Sequence, residues 1–325
     1  MAETATETRT GVVGALLGLH AQTSLHPGSG TALGTVDLPV QRERHTLWPT
    51  IPGSALKGVL RDACRDHVKA EHGGDRAKAN RENRRLTAAF GPPTESAGEH
   101  AGALSVTDAR LLAFPVRSLK GVFAWVTCPA VLERLARDLA LGHASGLDEW
   151  KIPQVKRDNV VVPGDDCPCL YESTHVVLEE FVFERAATTS AQVAGWVARH
   201  LLPDTPAFAA TKERFCQCLL VLHDDDFTHF ARHATEIVTR VGLEIETKTV
   251  KDGALFYEEF LPPESLFYAL VLAHDARGQA GPDMHAAGVL EFLSSVIPPF
   301  LQVGANETTG KGYCATRLFR LGGAK

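Results

Sequence analysis

An α+β fold is what this 325-residue chain predicts, on three observations. Residues 17–25 alternate as a half-buried strand does, with Leu17, Leu19, Ala21, Thr23 and Leu25 on one face and Gly18, His20, Gln22 and Ser24 on the other. Residues 54–68 place Leu56, Val59, Leu60, Ala63, Cys64, His67 and Val68 at the i, i+3, i+4, i+7 spacing of an amphipathic helix. The elements that follow continue as strand, strand, helix. That succession is most of a ferredoxin-like βαββαβ unit, which is also the frame of RNA-recognition domains.

In chain order, the first strand lies within 12–25. An irregular stretch then runs from His26 to Gly53, with Gly28, Gly30 and Gly34 before Asp37 and Pro39, Pro49 and Pro52 after it. A loop of this length is uncommon unless it has a function. Ser54 is the expected N-cap of the first helix. Residues 71–85 are densely charged, which favours a solvated connection, and the wider span 71–100 reads as a helical, charged insertion. Strands are expected over 103–112 and 117–127, joined at Pro115. Pro129 opens a helix carrying Val131, Leu132, Leu135 and Leu139. Residues 150–185 read as a hairpin-rich insertion. Further helices are expected near 189–201 and 284–296, and strands near 215–222, 236–249, 254–260, 265–273 and 313–320. No linker separates two domains, so residues 11–325 read as one domain behind a disordered polar tail at 1–10.

A hydrophobic fraction of 44% and a charged fraction of 22% are those of a globular chain with a proper core. No apolar run approaches the roughly 20 residues that span a bilayer. The start MAETATETRT lacks the basic and apolar regions of a signal peptide, so a cytoplasmic protein without membrane partners is expected. A net charge of −6 runs against nucleic-acid binding. It does not exclude it, because counterion release depends on the few cations that touch phosphate. Seven Cys include two CxC pairs, Cys167/Cys169 and Cys216/Cys218. Zinc sites space paired ligands more widely, and FCQCLLVL alternates as a strand with both thiols on one face, so buried reduced thiols are expected.

Four constellations could carry chemistry. Gly53-Ser54-Ala55-Leu56-Lys57-Gly58 opens a helix, where free N–H groups and the dipole can seat a phosphate, and Lys57 and Arg61 add charge one turn apart. An ordinary capped helix is the alternative. The loop from Val303 to Gly312 contains Gly304, Thr308, Gly310 and Lys311 and can approach a sugar–phosphate backbone closely. It fails the P-loop pattern because Gly312 stands where Ser or Thr would bind magnesium. A hairpin turn is the alternative. In the Gly-rich stretch, Asp37 could bind a divalent cation or accept a ribose 2′-hydroxyl proton, and His26 could shuttle one. An Asx-type turn is the alternative. His223-Asp224-Asp225-Asp226 reads as an Asp-capped helix start rather than a metal site. Glu258-Glu259 is a paired carboxylate at a strand end, of which one is expected to face outward.

HPGSG, GTVDLPVQRE, PTIPGSALKGVLR, FG, GALSVTDARLLAFPVRSLKGVFAWVTCP and VGANETTGKGYC follow in that order. In this combination the chain resembles the RAMP superfamily, and within it the target-RNA-cleaving backbone subunits of type III-B CRISPR (Cmr) effector complexes. The likeness spans about residues 12–320. It implies a modified RNA-recognition (RAMP) fold with insertions and a protruding β-hairpin thumb, here placed within 150–185. It implies copies stacked as a helical filament along a guide CRISPR RNA, with other Cmr subunits, in antiviral defence. A thumb would displace one nucleotide of the guide–target duplex at regular intervals, and the matching Asp37, with a divalent metal (Mg or Mn), would promote cutting of the target RNA beside each gap. His26 and Glu258 match supporting positions, and Ser54, Lys57, Arg61, Gly304, Thr308 and Lys311 lie in the elements that match guide-binding ones. Phe260 stands where some relatives carry Tyr. Displacing a base frees the 2′-oxygen for in-line attack, a geometry the A-form duplex forbids, so positioning supplies much of the catalysis. Two other readings are a non-catalytic scaffold that coats RNA and a metal-independent guide-processing ribonuclease.

Overall fold

The structure is a computed structural model that describes residues 11–32, 34–142, 150–277 and 284–322. The expected tail at 1–10 lies outside the described residues. Strands and helices are numbered along the chain. One sheet runs β14 (Phe300–Gln302), β15 (Tyr313–Arg320), β1 (Val12–Ala21), β13 (Leu266–His274), β4 (Ala109–Arg117), β5 (Phe123–Thr127), β10 (Leu219–Leu222), β6 (Asn159–Val162), β9 (Phe181–Thr189), β8 (His175–Leu178), β7 (Leu170–Tyr171). Off this path, β2 (Thr50–Ile51) pairs with β4 and β3 (Leu104–Val106) pairs with β13.

β1 is central, antiparallel to β13 and to β15, and Gly14–Ala21 is buried on both faces. The expectation of a half-buried strand is therefore corrected. Gly18 explains how the polar-looking face is closed: a Cβ there would lie 2.3 Å from the Leu201 carbonyl oxygen, so the backbone after α5 (Ala191–His200) rests directly on the strand.

The first helix, α1, spans Gly53–Val68. Ser54 is not its cap but lies exposed within the first turn. Pro52 holds the cap position, and the Asp108 carboxylate accepts the Gly53 N–H at 2.7 Å. The buried stripe is narrower than expected, with Leu56, Leu60, Cys64 and Val68 inside and His67 exposed. The charged segment that favoured a solvated connection forms two short helices, α2 (Arg76–Glu82) and α3 (Arg84–Phe90). Asp75 and Asn83 cap them by side-chain hydrogen bonds, which supply the first-turn acceptors a charged sequence needs to stay helical.

Pro115 does not join two strands. It lies inside β4 opposite Trp125, beyond the point where β4 leaves β13 at Ala113, so β4 is flanked there by one strand only. The turn comes at 118–122, with Gly121 and Val122 at positive φ. Pro129 opens α4 (Pro129–Leu141) as expected. FCQC is the end of α6 (Ala209–Cys218) rather than a strand, so Cys218 is buried while Cys216 is half-buried. α7 (Asp224–His233) is capped by the His223 ring, not by Asp. The three Asp residues fill its first turn, and Asp224 also accepts the Ala130 N–H at the start of α4. α8 (Ala286–Val296) contributes six buried residues to the core.

The protruding hairpin is not within 150–185, whose β6 to β8 join the main sheet. The ribbon outside that sheet is β11 (Glu236–Leu243) with β12 (Val250–Phe260). Its register sets Ile237, Thr239 and Val241 opposite Glu259, Tyr257 and Leu255, and Ile237, Val241, Leu243, Val250, Leu255 and Tyr257 are all exposed. Among the described residues, no helix is long and apolar enough to cross a membrane.

Candidate functional site

After β1 the chain enters the Gly-rich stretch, which folds back on itself. Ser29 N–H donates to the Pro39 carbonyl and Gln41 N–H to the Pro27 carbonyl. The returning arm docks on the base of β12, where Leu38 N–H donates to Tyr257 O and Glu259 N–H to Leu38 O, each at 3.0 Å. Asp37 comes one residue before this bridge. Its Oδ2 accepts the Tyr257 N–H at 2.7 Å, which aims the half-buried carboxylate at the joint between loop and hairpin.

His26 is buried (4% exposed). Its Nδ1 lies 2.6 Å from the Glu259 carbonyl oxygen. A carbonyl only accepts, so Nδ1 carries a proton. Nε2 lies 3.8 Å from Glu258 Oε1. Gly28 is required beside it, since a Cβ there would approach Nε2 to 2.7 Å.

The acid pair departs from the alternation rule: both Glu258 and Glu259 are buried. The loop and hairpin enclose this part of β12, and each carboxylate is compensated. Glu259 accepts from Val40 N–H, Arg42 and the Thr235 hydroxyl. Glu258 accepts from Arg240 and from the Asn306 amide. Buried carboxylates persist only when paired in this way. Arg42, Arg240 and Asn306 were not singled out from the sequence. The sequence signals for them are slight: a single Arg in VQRE, a single Arg in β11, and an Asn within the 303–312 loop.

The opposite wall is the loop after β14. Gly304 has φ +85°, and a Cβ on it would come within 2.4 Å of the His26 carbonyl oxygen. The Ala305 N–H donates to that same oxygen. A cleft of about 610 Å³ results, lined by His26, Gly28, Leu38, Ala55, Glu258 and Asn306 among others. It unites the Gly-rich stretch, the start of α1, Glu258 and the 303–306 loop, which the sequence treats as separate constellations, while Asp37 and Glu259 are not among its lining residues.

The remaining candidates are spread around it. Ser54 and Thr308 are exposed. Lys311 reaches inward: its Nζ donates to the Ser24 hydroxyl and stands 5.2 Å from the centre of the buried Phe260 ring. Lys57 donates to the Leu104 carbonyl at 2.8 Å, and burial, then Arg61, lowers its pKa. Arg61 turns toward the insertion, donating to Asn80 and Pro92. Neither lines the cleft.

Among the described residues, no group of three or more His, Cys, Asp or Glu is arranged to hold a metal. Asp37 stands alone, and the Tyr257 N–H occupies only Oδ2. A lone carboxylate suits a hydrated Mg²⁺ that takes its other ligands from water and substrate phosphates, not an all-protein cage.

The family description "RAMP superfamily" matches residues 19–315. The chain is 39% identical over 304 residues to the CRISPR system Cmr endoribonuclease Cmr4 of Pyrococcus furiosus, covering 93% of this chain and 95% of that protein. It is 25% identical over 315 residues to the CRISPR system CMR subunit Cmr4 of Saccharolobus solfataricus, covering 92% and 94%. The crystal structure of oligomeric Cmr4 from Pyrococcus furiosus superposes with a TM-score of 0.69 at 30% identity, over 96% of this chain and 99% of that one.

Proposed function

The chain belongs to the RAMP superfamily, and on that premise we propose that it is a guide-RNA-binding endoribonuclease subunit of a type III-B Cmr effector, cutting bound target RNA with Asp37. The observation that carries the reading is the Asp37 carboxylate, fixed by the Tyr257 N–H where the Gly-rich loop meets the protruding hairpin. β11–β12 takes the role of the thumb, with its apolar face toward the RNA duplex and the next copy in a helical filament. Other Cmr subunits complete the assembly.

In this mechanism, the hairpin displaces a nucleotide, and the adjoining ribose 2′-oxygen swings in line with the leaving 5′-oxygen. Asp37 lies against that ribose and accepts the hydroxyl proton as attack begins. His26 and Glu258 act at one remove. His26 ties the loop to β12, and Glu258 holds Asn306 and with it the wall formed by 303–306. Arg240 and Arg42 neutralise the two glutamates, so the cleft does not repel phosphate. A divalent Mg or Mn held by Asp37 and substrate oxygens would supply charge stabilisation at the phosphate. Sequence choice comes from pairing with the guide, so the protein needs only shape and backbone contacts.

The test is a complex reconstituted from this chain, guide RNA and the other Cmr subunits. Target RNA is expected to be cut at regular intervals. Asp37→Ala is expected to assemble and bind target but not cut. Undiminished cutting by that variant removes Asp37 from the mechanism and leaves the scaffold reading.

A further inference from the structure

The hairpin has two faces at its root, and only one of them opens on the cleft. Successive side chains of β12 point to opposite sides, so Glu258 turns with Arg240 and Asn306 toward the cleft while Tyr257 and Glu259 face the other way. The β11–β12 register sets Ile237 opposite Glu259, Thr239 opposite Tyr257 and Val241 opposite Leu255, which places all six on this second face. Ile237, Val241, Leu255 and Tyr257 are exposed there, and they form the apolar side of the ribbon.

Toward the root this face continues to Thr235, whose hydroxyl donates to Glu259 at 2.9 Å. Thr235 also lines a second pocket, of about 320 Å³, together with Glu180, Phe181, His229, Phe230 and His233. The walls are aromatic and fixed. Phe181 opens β9, and its ring meets His229 edge-on at 5.0 Å and the buried Phe230 ring at 5.7 Å. His229 and His233 stand one turn apart on α7 with ring centres 4.9 Å apart. The turn before Phe181 is pinned by the ion pair of Glu179 with Arg117 at 2.7 Å. Phe181, His229 and His233 nevertheless remain exposed.

Two His one turn apart suit a metal, but no group of three donors is arranged to hold one among the described residues. Exposed aromatic rings in a rigid pocket suit an unstacked base, because every base has a π-face to stack. The pKa of His233 is lowered by burial first, then by His229, Arg232 and Arg42, so its ring is uncharged at neutral pH and offers a plain aromatic face.

On the proposal that the hairpin displaces a nucleotide, we infer that the pocket of Phe181, His229 and His233 receives the base of that nucleotide from the target strand. The base leaves the duplex along the apolar face of the ribbon and enters the pocket at its foot. Glu180 at the pocket can accept an exocyclic amino group. Cutting proceeds only from the displaced state, so capture of the base raises the share of RNA held in cutting geometry. Phe181, His229 and His233 thus act as specificity and positioning residues rather than catalytic ones.

The experiment uses the reconstituted Cmr complex and two targets. One is ordinary RNA; in the other the nucleotide displaced beside a cut is abasic but keeps its 2′-hydroxyl. Phe181→Ala should slow cutting of the ordinary target at least about fivefold, the low end for losing one base stack. On the abasic target it should cut as fast as the unaltered chain does. His229→Ala should behave in the same way, and it decides the matter if Phe181→Ala does not assemble. Equal slowing on both targets would reveal a merely structural role and overturn the inference, as would no slowing on either. Rescue by an abasic nucleotide in the guide would overturn the assignment to the target strand. Absence of regularly spaced cuts by the unaltered complex would sink the displacement itself, whereas regular cuts indifferent to Phe181 and His229 would sink the pocket alone.

Discussion

Asp37 is held by the main chain of Tyr257, whose N–H donates to Oδ2 at 2.7 Å. The contact uses a backbone donor, so its geometry is independent of the residue type at 257. It also separates two things a substitution can remove, the acceptor oxygen and the negative charge.

Asp37→Asn keeps an acceptor for the Tyr257 N–H and loses the charge. The loop should stay docked, with an unchanged melting temperature, while single-turnover cutting falls by at least about 10²-fold. Cutting within a few-fold of the unaltered chain would mean that the carboxylate only shapes the loop.

Glu259 is the structural half of the acid pair. It accepts from Val40 N–H, Arg42 and Thr235, and pairs with Arg42 at 2.6 Å. Glu259→Ala removes the carboxylate that neutralises a largely buried guanidinium, leaving it only the Leu47, Ala231 and Arg232 carbonyls, and orphans a buried N–H, which costs about 3–5 kcal/mol. Urea unfolding of the isolated chain should show a markedly lower midpoint. Restoring stability by adding Arg42→Met would identify the unpaired cation as the cause.

The elements that were legible in the sequence are those whose burial is one-sided or whose ends carry strong local signals, such as α4 behind Pro129 and α8. The hairpin was misplaced because alternation reports that a strand has two unlike faces, not which sheet it joins. Residues 150–185 alternate and enter the main sheet, whereas β11–β12 carries apolar residues on its exposed face. Glu258-Glu259 was misread for a related reason. Alternation sends one of two neighbours to solvent only where a strand has a solvent face, and the Gly-rich stretch closes that face here. Asp37 and His26 were singled out through motif likeness, and the fold sets His26 in the cleft wall and Asp37 one residue before the bridge to β12. Arg42, Arg240 and Asn306 were not, since their partners lie far away in the sequence.

Gly304 and Gly310 both have positive φ, but they are not equivalent. A Cβ on Gly310 meets open space, whereas one on Gly304 would stand 2.4 Å from the His26 carbonyl oxygen. Gly310→Ala should cost only the left-handed backbone penalty, about 1 kcal/mol. Gly304→Ala must also displace the 303–306 wall, so it should lose more stability and weaken guide-RNA binding. Filter binding of guide RNA to the two variants compares them directly, and equal affinities would argue against that wall touching RNA.

Lys57 carries a pH signature of known sign. Its pKa is held below the ordinary 10.5 by burial first and by Arg61 second. Between the lowered folded value and 10.5 the unfolded chain binds more protons than the folded one. Stability contributed by this group therefore rises with pH across that window. Lys57→Met lacks the rise. Urea midpoints measured from neutral pH to 10.5 should move in favour of the unaltered chain relative to the variant. A difference that stays flat would mean that the ammonium is not desolvated in the fold.

The proposed metal can be tested through the way the carboxylates are engaged. Both oxygens of Glu258 are taken, one by Asn306 and one by Arg240, and Glu259 is saturated by Arg42, Thr235 and Val40. Neither glutamate can join a metal without breaking a buried pair, so of these three carboxylates Asp37 is the one candidate ligand for the proposed ion. A hydrated Mg²⁺ held by one carboxylate and substrate phosphates is bound weakly. Chelation should therefore stop cutting while target binding, carried by guide pairing, persists. Adding Mg or Mn should restore cutting with a dependence that is still rising at millimolar metal, and Asp37→Asn should not respond. Full-rate cutting after exhaustive chelation would eliminate the metal and leave Asp37 acting as a proton acceptor alone.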